Sequence, residues 1–106
     1  MKKKLIFISY YILLFNIILS QNISANDLLE KGKKIFLGEG NCATCHTLKN
    51  ANSKGKIGPN LDEIKPDIVR VLTAVKNGIG VMPAYEGMLS DDEIKAVASY
   101  VAESTN

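Results

Sequence analysis

Cys42-Ala43-Thr44-Cys45-His46 reads C-x-x-C-H, the spacing that attaches a c-type haem. Two thiols at this separation can form thioethers to the two vinyl groups of one porphyrin. The adjoining imidazole then lies where it can bind the iron from one face. Both cysteines and the single histidine of the chain fall in these five residues. Two plainer readings stand beside this one. A thioredoxin-like dithiol wants a βαβ context and has no need of His46. A zinc site wants a further ligand of the usual kind, and the chain has no other Cys or His. The haem reading is the one that uses all three residues.

The N-terminal 25 residues are a different kind of material. Lys2, Lys3 and Lys4 form a basic head, Leu5 to Leu19 is an apolar run interrupted by Ser9 and Asn16, and Ile23-Ser24-Ala25 follows. This is the layout of a secretory signal peptide cut after Ala25. The apolar run falls short of the roughly 20 residues a spanning helix needs. The alternative is an uncleaved leader that anchors the domain to the membrane. The chain therefore divides into a signal peptide, residues 1–25, and one domain, residues 26–106.

Export changes the meaning of the charge. The whole chain has 13 basic and 11 acidic residues, a net +2. Three lysines and no acid belong to residues 1–25, which leaves ten basic against eleven acidic residues, a net −1. The basicity belongs to the export signal, so a nucleic-acid partner has no support. An oxidising compartment would close a free C-x-x-C into a disulfide, whereas thioethers consume both thiols. A domain of this size has room for only a small core and usually needs a staple. A covalently held haem, large, flat and apolar, can be its centre.

Apolar spacing predicts three helices and no alternating strand. The first covers about Asp27 to Leu37, with Asn26 as cap and Leu28, Leu29, Gly32, Ile35 and Phe36 on one side. The second covers about Pro66 to Asn77, with Pro66 in its first turn, Gly78 just past its end, and Ile68, Val71, Leu72 and Val75 as its stripe. The third covers about Asp91 to Glu103, opened by a Ser90/Glu93 capping box and carrying Ile94, Val97, Ala98 and Val101. The stretch from Gly38 to Lys65 is too long for a structureless loop in a compact domain unless its inner side wraps a cofactor.

With these elements placed, the sequence resembles the class I cytochromes c of the small bacterial kind. Gly32 and Phe36 resemble the family's G-x-x-x-F, and Tyr100-Val101 the aromatic–aliphatic pair of its last helix. Gly58-Pro59-Asn60-Leu61 resembles the G-P-x-L loop, and Met82-Pro83-Ala84-Tyr85 the M-P-x-[FY] segment. The resemblance implies an all-α cytochrome c fold of three main helices, with one or two short ones between 47 and 65, around one covalent haem c. It implies Cys42 and Cys45 as attachment points, His46 and Met82 as the iron's axial ligands, and the Pro59 carbonyl as acceptor for the His46 N–H. Met88 is the rival sulfur. Tyr85 is expected in the core or against the haem.

The function implied is periplasmic electron transfer rather than enzyme catalysis, between redox protein partners, a donor and an acceptor such as a dehydrogenase or terminal oxidase. Two other readings remain: the electron-accepting subunit of a periplasmic dehydrogenase, and an open-site haem protein that binds gas. Membrane contact is expected only through partners or an uncleaved leader. Lys49, Lys54 and Lys56 are either solvated charge or part of a docking rim.

Overall fold

The computed structural model describes residues 7–13 and 24–106. The leader reading falls largely on residues 1–6 and 14–23, outside the described residues; residues 7–13 are helical and exposed. From Ser24 onward the architecture is all-α. Helix α1 spans Ala25–Leu37. A 3₁₀ turn at Cys42–Thr44 follows. Strands β1 (Thr47–Leu48) and β2 (Ser53–Lys54) pair antiparallel around a second 3₁₀ turn at Lys49–Ala51. Helix α2 spans Leu61–Ile64, α3 Ile68–Asn77 and α4 Asp91–Thr105.

Local chemistry sets these boundaries, with three corrections to the sequence reading. Helix α1 is capped by Ser24, whose hydroxyl accepts from the Asp27 N–H at 3.3 Å, and not by Asn26. A cut after Ala25 would remove that cap. Helix α3 is capped by Asp67, which accepts from the Arg70 N–H at 2.8 Å, so Pro66 lies before the helix and not in its first turn. An aspartate side chain can satisfy a free helical N–H, and it outcompetes the proline as start signal. The two-residue strand pair had no alternating pattern to announce it, being too short to show one. Helix α4 has both bonds of the expected capping box, Ser90 with Glu93. Gly78 ends α3 at φ 73°, as expected of a glycine past a helix end.

The core is built where α1 and α4 cross, with α3 against the other side of α4. The crossing depends on Gly32. An added Cβ there would lie 2.2 Å from the Ala96 carbonyl oxygen and 2.6 Å from the Tyr100 Cβ. The two backbones thus approach closer than any side chain allows. Next to this point Phe36, 1 % exposed, meets Tyr100 edge to face, ring centroids 5.9 Å apart at 66°. Leu48 and Val97 are fully buried beside them. The Tyr100 hydroxyl donates to Asn50 Oδ1 at 2.7 Å, and the Lys49 N–H donates to Asp62 Oδ2 at 2.9 Å. These bonds fasten the long segment after His46 to α4 and α2. That segment is ordered by such ties and by the surface it wraps.

Candidate metal centre

An open cleft runs between the 42–61 segment, α3 and the loop that joins α3 to α4. Its empty volume, counting the part continuous with solvent, is about 1190 Å³. That is the room of a cofactor and not of a lone ion. Phe36, Leu61, Val71, Val75, Val97 and Val101 give it apolar walls. Cys42, Cys45, His46, Pro59 and Met82 all line it, so the residues expected to attach, ligate or orient a haem arrive at one place.

His46 is held by three local devices. The 3₁₀ turn bonds the His46 N–H to the Cys42 carbonyl at 2.9 Å, which sets the imidazole beside the two thiols. The Gly58 N–H donates to the Cys45 carbonyl at 2.7 Å and brings the next loop back onto the turn. His46 Nδ1 then lies 2.7 Å from the Pro59 carbonyl oxygen. A carbonyl can only accept, so Nδ1 carries the proton and Nε2 is left with its lone pair. Such a bond orients a ligating imidazole and raises its basicity. Gly58 makes the approach possible: a Cβ on it would sit 2.6 Å from the ring's Cε1.

The cysteines are free and half-buried at the cleft wall. Burial pushes the Cys42 thiol up to about 11, with a backbone hydrogen bond opposing the shift and Cys45 adding to it. A dithiol oxidoreductase lowers this value to make a thiolate at neutral pH. At Cys42 burial acts the other way.

Met82 sits at one end of a tight turn in which Ile79 and Met82 exchange backbone bonds of 3.2 and 2.9 Å. It is half-buried and packs on the core. Met88 is 68 % exposed and does not line the cleft. Tyr85 is buried at the cleft wall, and burial raises its phenol, so it is a neutral hydrogen-bond donor. Two further features went unread in the sequence. Arg70, on α3, contributes a cation to the lining of the cleft. Isolated in an amphipathic helix, it gives no motif. The Tyr85 hydroxyl also bonds the Gly40 carbonyl, across a separation no local pattern reveals.

The residues therefore fit a haem: an apolar cleft, two thiols at its wall, an imidazole whose Nδ1 donates to the Pro59 carbonyl, and a thioether. Known proteins agree. Residues 27–101 match the family model described as cytochrome C oxidase, cbb3-type, subunit III. Cytochrome c6 of Diacronema lutheri is 37% identical over 78 residues, covering 69% of this chain and 92% of that protein. Cytochrome c6 of Leptolyngbya boryana is 36% identical over 76 residues, covering 68% and 87%. The crystal structure of the c-type cytochrome SorU from Sinorhizobium meliloti superposes with a TM-score of 0.72 at 55% identity, covering 76% of this chain and 93% of that one. By sequence over residues 27–101 and by fold, the chain belongs to the class I c-type cytochromes, electron-transfer proteins whose cofactor is a covalently bound haem c.

Proposed function

We propose that this protein is an exported electron carrier in which Cys42 and Cys45 would hold the haem by thioethers and His46 and Met82 would be the ligands of its iron. The haem supplies a one-electron ferrous/ferric couple; the chain supplies its position, its ligands and its dry surroundings. One observation carries the reading: both candidate ligands line the same apolar cleft, and the competing sulfur, Met88, is outside it. A thioether ligand raises the potential relative to harder ligands and closes the site to other molecules. Pro59 has a fixed φ and aims its carbonyl at His46 Nδ1.

The leader, residues 1–25, directs the domain across the cytoplasmic membrane to the periplasm. No helix among the described residues is long and apolar enough to cross a membrane. Donor and acceptor are redox proteins. Ile57, Ile79 and Val81 stand exposed at the rim of the cleft, Val81 at 90 %, and give such a partner an apolar surface to cover. The same rim serves the second reading, the electron-accepting subunit of a periplasmic dehydrogenase. Co-purification with a catalytic partner at stoichiometric yield separates that subunit from a freely diffusing carrier.

The test of the ligand set is the charge-transfer band between ferric iron and methionine sulfur. It should be present in the unmodified protein, vanish in Met82→Ala and survive in Met88→Ala. Met82→Ala should also admit carbon monoxide to the ferrous protein. A band that survives Met82→Ala and is lost in Met88→Ala would reverse the assignment. N-terminal sequencing of the native protein tests the export reading, with Asn26 as the expected first residue.

A further inference from the structure

We infer that the Tyr85 hydroxyl is a latch on the Met82 loop, and that it sets how fast the sixth iron position opens to outside ligands. The inference rests on Met82 ligation as read above. The loop, residues 78–89, joins α3 to α4. Nearly all its hydrogen bonds stay within it or run back to α3. The Gly78 N–H donates to the Ala74 carbonyl, Tyr85 to Val75 and Glu86 to Lys76, while Met88 and Leu89 both donate to the Tyr85 carbonyl. The Lys76–Glu86 ion pair, 3.9 Å, is also a tie to α3. Among the described residues, one hydrogen bond takes the loop across to the side that holds the cofactor. It is the bond from the Tyr85 hydroxyl to the Gly40 carbonyl.

Both ends of this bond are firm. Tyr85 is 8 % exposed and sits in the core cluster. Gly40 is buried, and its N–H donates to the Ile35 carbonyl at 2.8 Å, which ties it to the end of α1. It lies two residues before Cys42. A Cβ on it would fall 3.0 Å from the Cys42 sulfur and 2.8 Å from the Ile35 oxygen. The acceptor is thus backbone wedged against the attachment thiol. The loop itself has cheap pivots. Gly80 and Gly87 take φ of 57° and 86°, with nothing within 4 Å of an added Cβ, so the segment carrying Met82 has space to swing. Releasing Met82 from iron without breaking the Tyr85 bond leaves only the short span 78–84 to move. Breaking it leaves this part of the loop held by the packing of the Tyr85 ring and by the backbone bonds of Tyr85 to Val75 and of Glu86 to Lys76, a looser hold on the segment that carries Met82.

Tyr85→Phe isolates the bond, because the ring and its packing remain. The exchange in question breaks an iron–sulfur bond and forms an iron–nitrogen bond, with no change in iron oxidation state. The probe is imidazole, added to the ferric holoprotein at concentrations where the observed rate becomes limited by loop opening. Tyr85→Phe should keep the charge-transfer band and raise that limiting rate about five- to tenfold, the scale of one net hydrogen bond. The control is Tyr100→Phe, which removes the bond to Asn50 Oδ1 away from the loop. It should lower the denaturation midpoint by a similar amount and leave the limiting rate within about twofold. A limiting rate for Tyr85→Phe within about twofold of the parent overturns the latch. So does an equal acceleration in Tyr100→Phe, because the effect then follows global stability. A parent lacking the charge-transfer band fails one step earlier: Met82 is not the ligand, and the latch falls with that reading.

Discussion

Replacing Gly58 with alanine puts a methyl group into the face of the His46 ring. The added carbon would lie 2.6 Å from Cε1, 2.9 Å from Nδ1 and 3.0 Å from Nε2. Ordinary contact begins near 3.4 Å, so the ring must withdraw by about 0.8 Å at its closest atom. It has little freedom to do so, being bonded at 2.7 Å to the Pro59 carbonyl and fixed through the 3₁₀ turn at its own backbone. Gly58 is not among the glycines with positive φ, so alanine adds no backbone strain and the effect is steric. Overpacking of this kind costs about 1–3 kcal/mol, and a misaligned imidazole–carbonyl bond adds up to about 1 kcal/mol. The expected loss is about 2 kcal/mol in guanidinium unfolding of the ferric holoprotein. The reduction potential should also rise, because an imidazole that shares its proton less is a weaker donor to ferric iron. Gly87→Ala is the comparison. It meets no atom and carries only the cost of a left-handed φ, about 1 kcal/mol, and should leave the potential alone. If Gly58→Ala stays within about 0.5 kcal/mol of the parent at an unchanged potential, the close packing of glycine on the ligand ring has no role.

Three other outcomes are expected. Gly32→Ala drives a methyl group to 2.2 Å from the Ala96 carbonyl oxygen and should cost about 3 kcal/mol by forcing α1 off α4; a loss under about 1 kcal/mol by denaturation would refute the close crossing. Glu93 is held below its ordinary 4.5 chiefly by the bond from the Ser90 N–H. Its contribution is therefore complete above that ordinary value and fades as pH falls through the lower folded value, so Glu93→Gln should flatten the stability–pH curve there, and an unchanged acid limb would refute the linkage. Acid-acetone extraction should leave the haem of the unmodified protein on the chain, and Cys42→Ser should retain it through Cys45 alone at lower yield; colour lost to solvent from the unmodified protein would refute covalent attachment.

Much of the site was legible because its chemistry is local. C-x-x-C-H places two thiols and an imidazole within one turn of chain whatever surrounds them. The capping box at Ser90 and Glu93 and the glycine at 78 are likewise short-range devices, and both stand where the spacing predicts. The misreadings are local competitions decided by neighbours. Ser24 rather than Asn26 reaches the open end of α1, and Asp67 rather than Pro66 begins α3. Arg70 was missed because one cation on a helix has no spacing to mark it.

By itself, the sequence determined the all-α class, the three amphipathic helices, the net charge of the domain and the attachment stretch at Cys42–His46. Each depends on residues within about one or two turns of each other, where periodicity and side-chain reach suffice. The M-P-x-[FY] segment already favoured Met82 over Met88; the tertiary structure adds the path of the loop over the core, which sets Met82 at the cleft wall and Met88 in solvent. The tertiary structure alone joined Tyr85 to Gly40 and Tyr100 to Asn50, 45 and 50 residues apart. Such pairings come from helices brought together by burying their apolar faces, and a hydroxyl finds its carbonyl only after that packing has set the distance.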